Sequence, residues 1–183
     1  MQLVEQHVID RRDPRFTVID AAAFQSKNLY NAALYEMRQE FIHHGIYLSY
    51  EEMDKRMQPH EAYQALPAKV SQQVLRQLAD AWKAFREAKA AYEVDPSKFT
   101  GRPRLPKYKH KTEGRNILVY TVQAVNKRGL KKGLIRPSML PIEVQTKHKD
   151  IHQVRIIPRN GHYVIEVVYS KEPVQAKVDP SSV

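Results

Sequence analysis

The spacing of hydrophobic positions along the chain changes twice. Residues 2–9 (QLVEQHVI) are apolar at both ends and predict a first strand, which ends in the charged, proline-containing segment RRDPR. From Asp20 onward, apolar residues recur at the three- and four-residue intervals of a helix, and beyond residue 115 they alternate as in strands. The pattern therefore predicts a strand, a helical segment and a second block of strands.

Three helices are predicted between residues 20 and 95. The first has an apolar face at Tyr30, Leu34, Met37 and Phe41, with Asp20 as its N-cap and Gly45 at its end. Ser49 and Glu52 have the spacing of a capping box, which predicts a second helix as far as about residue 58. The third helix is predicted from about residue 67 to Asp95-Pro96, and its apolar stripe consists of Val70, Val74, Leu78, Ala81, Trp82, Phe85 and Ala88.

Five strands are predicted after the helices, at 116–124, 133–136, 142–146, 151–157 and 162–170. Asn160-Gly161 between the last two is a hairpin signal typical of a type I′ turn. Strand 2–9 is too short to be stable alone and must pair with these later strands. The chain is thus predicted to be α+β, with helices inserted into one discontinuous β domain that a small barrel would close.

The composition excludes several kinds of chemistry. The sequence has no cysteine, which rules out disulfides, Cys-bound zinc, iron–sulfur clusters and thiol nucleophiles in these residues. No apolar run approaches the roughly 20 residues of a membrane span, and residues 1–16 do not have the apolar core of a secretory signal. We therefore expect a cytoplasmic protein with no membrane partner.

The positive charge is concentrated in one window. The whole chain carries a formal net charge of +10, and residues 98–136 hold twelve Lys and Arg against Glu113 alone. Such clustering favours a polyanion partner, because binding to phosphates releases their condensed counterions. The alternative is a basic surface that only keeps the protein soluble.

The first half of this window predicts an extended basic arm. Residues 96–115 contain three prolines, which fix φ and oppose regular secondary structure. Arginine forks and lysine charges suit phosphates, and an aromatic ring suits a base. The candidate RNA- or phosphate-binding residues of the arm are Arg102, Arg104, Lys107, Tyr108, Lys109, Lys111 and Arg115. The alternative is a flexible linker.

Two further groups have the residue types of nucleic-acid contacts. A β-turn tip that reaches a phosphate backbone, or that is only a charged hairpin tip, is predicted from Lys127, Arg128, Lys131 and Lys132 beside Gly129 and Gly133. Gln72, Gln73 and Arg76, near the start of the third helix, can read adenine and guanine in a groove, or can be ordinary polar surface. The carboxylates and histidines show no spacing that brings them into one pocket, so we predict no catalytic or metal site.

Several segments in their order resemble a known family. NLYNAALYEMRQEF, LPAKVSQQVLRQLADAWKAFREA, GRPRLPKYKHK and VRIIPRNGHYVIEVVYSKE together are similar to the N-terminal half of TnpB, the transposon-encoded RNA-guided DNA nuclease related to type V CRISPR effectors. The resemblance covers nearly the whole chain. It implies an oligonucleotide-binding-type β-barrel, the wedge domain, interrupted by a helical recognition domain.

The resemblance also implies partners and boundaries. The wedge-like barrel would comprise residues 1–15 and 97–172, and the recognition domain residues 16–96. Together they would hold a guide RNA scaffold and read a short motif beside the target in double-stranded DNA. The motif-reading positions of the family match Tyr50, Gln72 and Thr121, and Lys69 matches less closely.

The family's nuclease domain would follow Val183. Residues 173–183 would then be a linker toward that missing domain, which in the family holds Mg²⁺ and a structural Zn²⁺. The resemblance implies that this chain has no cofactor and does not cut DNA alone. Two other functions stay open, namely a free-standing helix-turn-helix-type transcriptional regulator and a purely structural interaction module.

Overall fold

The helices and strands occupy most of residues 1–171, which are the residues that the structure, a computed structural model, describes. The predicted linker at 173–183 lies outside them. The elements in chain order are β1 (Gln2–Ile9), α1 (Phe16–His44), α2 (Tyr50–Met57), α3 (Glu61–Gln64), α4 (Ala68–Val94), β2 (Leu118–Thr121), α5 (Lys127–Lys131), β3 (Leu134–Ile135), β4 (Val144–Gln145), β5 (Ile151–Arg159) and β6 (His162–Ser170). The α+β class predicted from the sequence is confirmed.

Four strands form an open antiparallel sheet in the order β1-β6-β5-β2, and β3 pairs with β4 separately. β1 pairs with β6 along its whole length, from Gln2 opposite Ser170 to Ile9 opposite Tyr163. The prediction that the first strand pairs with the later strands is therefore confirmed. The four helices α1–α4 are inserted between β1 and β2.

The predicted N-cap of α1, Asp20, is wrong by five residues. The helix begins at Phe16, after Arg15, whose side chain makes no capping hydrogen bond. Asp20 lies inside the helix, where its carboxylate accepts hydrogen bonds from Arg115 and Tyr163. The carboxylate of Asp20 is therefore bound by the distant Arg115 and does not cap the helix N-terminus.

The C-terminus of α1, the N-cap of α2 and the C-terminus of α4 lie where the sequence predicts them. Gly45 takes a left-handed conformation with φ of 66° and its N–H donates to the carbonyl of Phe41, as expected of a helix C-terminus. Ser49 Oγ accepts from the N–H of Glu52 at 3.2 Å and caps α2. α4 spans 27 residues and ends at Val94, directly before Asp95 and Pro96.

The β5–β6 hairpin is present, but its turn is not type I′. Gly161 has a φ of 80°, whereas Asn160 has a negative φ. A type I′ turn requires positive φ at both central residues, whereas here only glycine, which adopts positive φ without steric cost, does so.

The predicted turn tip at 127–132 is a short helix instead. Asn126 Oδ1 accepts from the N–H of Gly129 at 2.9 Å and caps α5. The N-cap at Asn126 therefore stabilises a helix here, although Gly129 and Gly133 had suggested a turn. The strands on either side are also shorter than predicted, because β2 passes into a 3₁₀ turn at Val122–Ala124.

A buried asparagine joins the helices to the sheet. Asn116, which is 2% exposed, lies just before β2. Its amide nitrogen donates to Ser26 on α1 and to Gln77 on α4, and its carbonyl oxygen accepts from Gln77 at 3.2 Å. Its backbone N–H donates to the carbonyl of Ala23. One side chain thus fixes α1, α4 and β2 together.

Within residues 1–171, no helix combines the length and the apolar character needed to cross a bilayer.

Replacing Asn116 with Ala should lower the free energy of unfolding by about 2 kcal/mol, because Gln77 and Ser26 lose a buried partner. Urea unfolding of the whole chain measures the change, and Asn28→Ala, at a half-buried asparagine of α1, is the control. Equal stability of the two variants would show that Asn116 is not the junction.

Candidate nucleic-acid interface

One side of α4 is polar and faces a groove beside the sheet. Its apolar side packs in the core, which leaves Lys69, Gln72, Gln73 and Arg76 on a neighbouring face because they follow one another at intervals of three, one and three residues. A cleft of about 310 Å³, here called the α4–sheet groove, is lined by Gln73 and Arg76 on one side and by β2 and β5 on the other. The structure therefore brings two of the predicted reading residues to a concave surface.

Tyr50 and Gln72 lie beside this groove. The guanidinium of Arg76 lies 4.1 Å from the ring centroid of Tyr50, a cation–π contact that orients both side chains. Gln72 contacts Tyr63, whose hydroxyl donates to Asp54 at 2.9 Å. Burial, and then this hydrogen bond, raises the pKa of Tyr63 to about 12.

Thr121 and Lys69 occupy the two ends of the predicted reading surface. Thr121 ends β2 opposite Gln153 of β5, and its hydroxyl is buried without a hydrogen-bond partner within residues 1–171. Lys69 is exposed in the first turn of α4. Lys69 therefore has an ammonium that a ligand can reach, whereas the Thr121 hydroxyl is not open to solvent.

Four further polar residues, which the sequence pattern did not indicate, also line the groove: Gln77, Asp80, Gln153 and Arg155. Gln77 and Asp80 follow Gln73 at helical spacing, a signal that extending the polar face of α4 would have found. Arg155 pairs with Glu166, and its position opposite α4 depends on strand register, which the sequence pattern does not give.

The basic arm is extended, as predicted, but it is docked along α1 rather than free. Asn31 holds the backbone of Lys109 on both sides, with its amide oxygen accepting and its amide nitrogen donating at 2.9 Å each. Lys27 donates to the carbonyl of Lys111, and Arg38 donates to that of Pro106 at 3.1 Å. Three α1 side chains thus fix the arm antiparallel to the helix.

Docking divides the arm residues into two groups. Lys109 is half-buried with its ammonium 4.9 Å from the ring of Tyr30, and burial lowers its pKa. Tyr108 is exposed beside Arg38, whose guanidinium lies 5.1 Å from its ring. Among the candidate binding residues of the arm, the exposed cations are Arg102, Arg104, Lys107 and Lys111.

Arg115 is engaged in internal contacts. Its Nε and Nη2 donate to the two oxygens of Asp20 at 2.9 and 3.2 Å, and its Nη1 donates to the carbonyls of Thr112 and Gly114. The hydrogen bond to the Asp20 carboxylate raises the pKa of Arg115. The structure thus places this predicted RNA-binding residue in the anchor of the arm.

The second basic cluster lies on and just after α5. The side chains of Lys127, Arg128, Lys131 and Lys132 are all exposed. Their positive charges therefore face solvent on a helical turn, and the interaction with a phosphate backbone predicted for them stays a prediction.

Comparison with models of known protein families finds no match to this chain. Comparison with curated proteins also finds no match.

Replacing Asn31 with Ala should release the arm from α1, because two backbone hydrogen bonds lose their partner. We expect hydrogen exchange at the amide of Lys109 to accelerate by at least about tenfold, since each hydrogen bond contributes about 1 kcal/mol. Asn28→Ala on the same helix is the control. Unchanged exchange in Asn31→Ala would mean that other contacts hold the arm.

Proposed function

We propose that this chain is the nucleic-acid-binding portion of a TnpB-like RNA-guided DNA endonuclease. In this proposal the docked arm binds the guide RNA scaffold, and the α4–sheet groove recognises a short motif in duplex DNA. The chain binds without cutting, because cleavage belongs to the nuclease domain of the family. The observation that carries the proposal is an extended basic segment whose backbone is fixed along α1 while its cations face solvent.

Fixing the arm before binding favours a phosphate ligand. A free Lys- and Arg-rich segment loses conformational freedom when it binds, and that loss weakens association. Here Asn31 and Arg38 already hold the backbone at Lys109 and Pro106. The exposed cations can therefore meet a phosphate backbone at a smaller entropic cost.

The groove residues favour base recognition over simple packing. Glutamine can form paired hydrogen bonds with adenine, and arginine can do so with guanine, in the major groove. Gln73 and Arg76 line a cleft in which Gln153 supplies another amide. Their side chains are polar, convergent and supported by Tyr50, which suits reading a few base edges.

We also propose that the strands form an oligonucleotide-binding-type barrel closed partly by side chains. After β2, a bridge between Val125 and Pro137 extends pairing toward β3 and β4. Beyond β4, the N–H of Lys147 donates to Glu5 of β1 at 3.3 Å, and His148 lies 3.5 Å from the same carboxylate. These contacts support a path from one edge of the sheet back to the other.

Replacing Arg102, Arg104, Lys107 and Lys111 with Gln should weaken RNA binding and flatten its salt dependence. Each lost phosphate contact lowers the slope of log K against log salt by about 0.7 for a single strand. Titration of the whole chain with a fluorescent single-stranded RNA over a salt series measures the slope.

The control for this experiment removes the same charge elsewhere, at the exposed residues Arg12, Lys55, Lys83 and Lys149. A slope that falls equally in both variants would show that the arm contributes general charge rather than a binding surface.

Replacing both Gln72 and Gln73 with Ala should reduce motif preference by about tenfold, because a paired amide–adenine contact contributes on the order of 1–3 kcal/mol of discrimination. Selection from duplexes with a randomised window measures the preference. RNA affinity should be unchanged, and Gln123→Ala, at an exposed glutamine beyond β2, is the control.

An unchanged preference in the double variant would remove these glutamines from the reading surface. Tight binding to an inverted repeat without RNA would instead support the regulator alternative.

A further inference from the structure

A polar cavity of about 590 Å³ lies where the end of the arm meets the start of α1. Three separate segments form it, namely the turn between β1 and α1, the end of the arm, and the β5–β6 hairpin. Arg11, Arg115, Arg159 and His162 supply its positive or protonatable groups. Its volume lies in the range of small-ligand sites and is enough for a nucleotide.

One wall of the cavity is fixed by Asp20. Its carboxylate accepts from Arg115 at 2.9 and 3.2 Å and from the Tyr163 hydroxyl at 2.6 Å. Burial alone would raise the pKa of Asp20, but these hydrogen bonds outweigh it and the pKa lies below its ordinary value. The carboxylate is therefore ionised and fully engaged, so that α1, the arm and β6 form a rigid frame.

Arg11 and Arg159 face this frame without carboxylate partners. Arg15, Arg56, Arg136 and Arg155 all form ion pairs, whereas within residues 1–171 neither Arg11 nor Arg159 does so. His162 contacts the Asn160 carbonyl through Nδ1 at 3.2 Å, which leaves Nε2 for another partner. Two guanidinium groups and an imidazole thus converge with unused donors.

The remaining walls suit a nucleotide better than a bare ion. Phe16 and Tyr163 line the cavity with their rings 5.4 Å apart, and because Tyr163 is buried, the half-buried ring of Phe16 is the aromatic face that a base or ribose can contact. Glu113 also lines it, which leaves one positive charge in excess when His162 is neutral. Recognition here must therefore depend on directed hydrogen bonds more than on net charge.

We propose that this cavity binds a phosphate group of a nucleic-acid strand, with Arg11 and Arg159 as its ligands and His162 as a third donor. The identity of the strand rests on the proposed function, whereas the phosphate recognition rests on the cavity itself. The phosphate is either a terminal 5′-monophosphate or an internal phosphodiester. An arginine guanidinium can bind either kind of phosphate, because both present two oxygens that accept from its paired N–H donors.

The test compares one RNA sequence in 5′-phosphorylated and 5′-hydroxyl forms, bound to the whole chain and to the variant with Arg11→Gln and Arg159→Gln. We expect the variant to bind RNA about tenfold more weakly. The slope of log K against log salt should fall by about 1.4, because two phosphate contacts are lost at about 0.7 each. Arg12→Gln, an exposed neighbour of Arg11, is the control and should bind as the unmodified chain does. A loss limited to the phosphorylated form identifies a terminal phosphate, and an equal loss in both forms identifies an internal one.

Wild-type affinity and slope in the double variant would overturn the proposal, while weakened binding by the arm variant would show that the proposed function stands. A second measurement does not depend on RNA binding. Adenosine 5′-monophosphate added to the isotopically labelled chain should shift the side-chain Nε–Hε signals of Arg11 and Arg159 in NMR spectra. If those signals do not move, the cavity is not a phosphate site, whatever the RNA result.

Discussion

The contact between α1 and the segment that returns along it is the constraint on which the rest of the structure depends. The chain leaves the far end of α4 and must travel back to start β2 beside the base of the helices. Asn31 and Lys27 supply side-chain partners for the backbone of this returning segment, which has no strand or helix of its own between residues 99 and 110. Without these two side chains and Arg38, which donates to the carbonyl of Pro106, its polar backbone would depend on water.

This single docking event organises two surfaces at once. On the solvent side, it presents the cations of the arm in a fixed row. At its end, Asn116 bonds to Gln77, which lines the α4–sheet groove, and Arg115 bonds to Asp20 on α1. A ligand that bound the arm would therefore contact a segment that continues to Asn116. Asn116 is hydrogen-bonded to Gln77, which lines the groove. The proposed RNA and DNA surfaces are physically joined in this way.

Local sequence patterns predicted the helices and strands, whereas contacts between distant parts of the chain determine which residues share a site. The stripe from Val70 to Phe85 and the cap at Ser49 are contained within a few turns, so the sequence predicted α4 and α2 closely. Asp20 was misread as a cap because its true partner, Arg115, is 95 residues away. Arg11 and Arg159 lie near opposite ends of the chain, and only the β1–β6 pairing brings their surroundings together. No periodicity contains that information.

The most direct test of the central claim maps where RNA touches the chain. A single-stranded RNA carrying 4-thiouridine, cross-linked by light to the whole protein and analysed by mass spectrometry, reports contacts peptide by peptide. The account predicts cross-links within residues 102–111, where Tyr108 and the arm cations face solvent. Cross-links confined to the exposed edge of β1, around Val4 and Val8, with none in the arm, would contradict it.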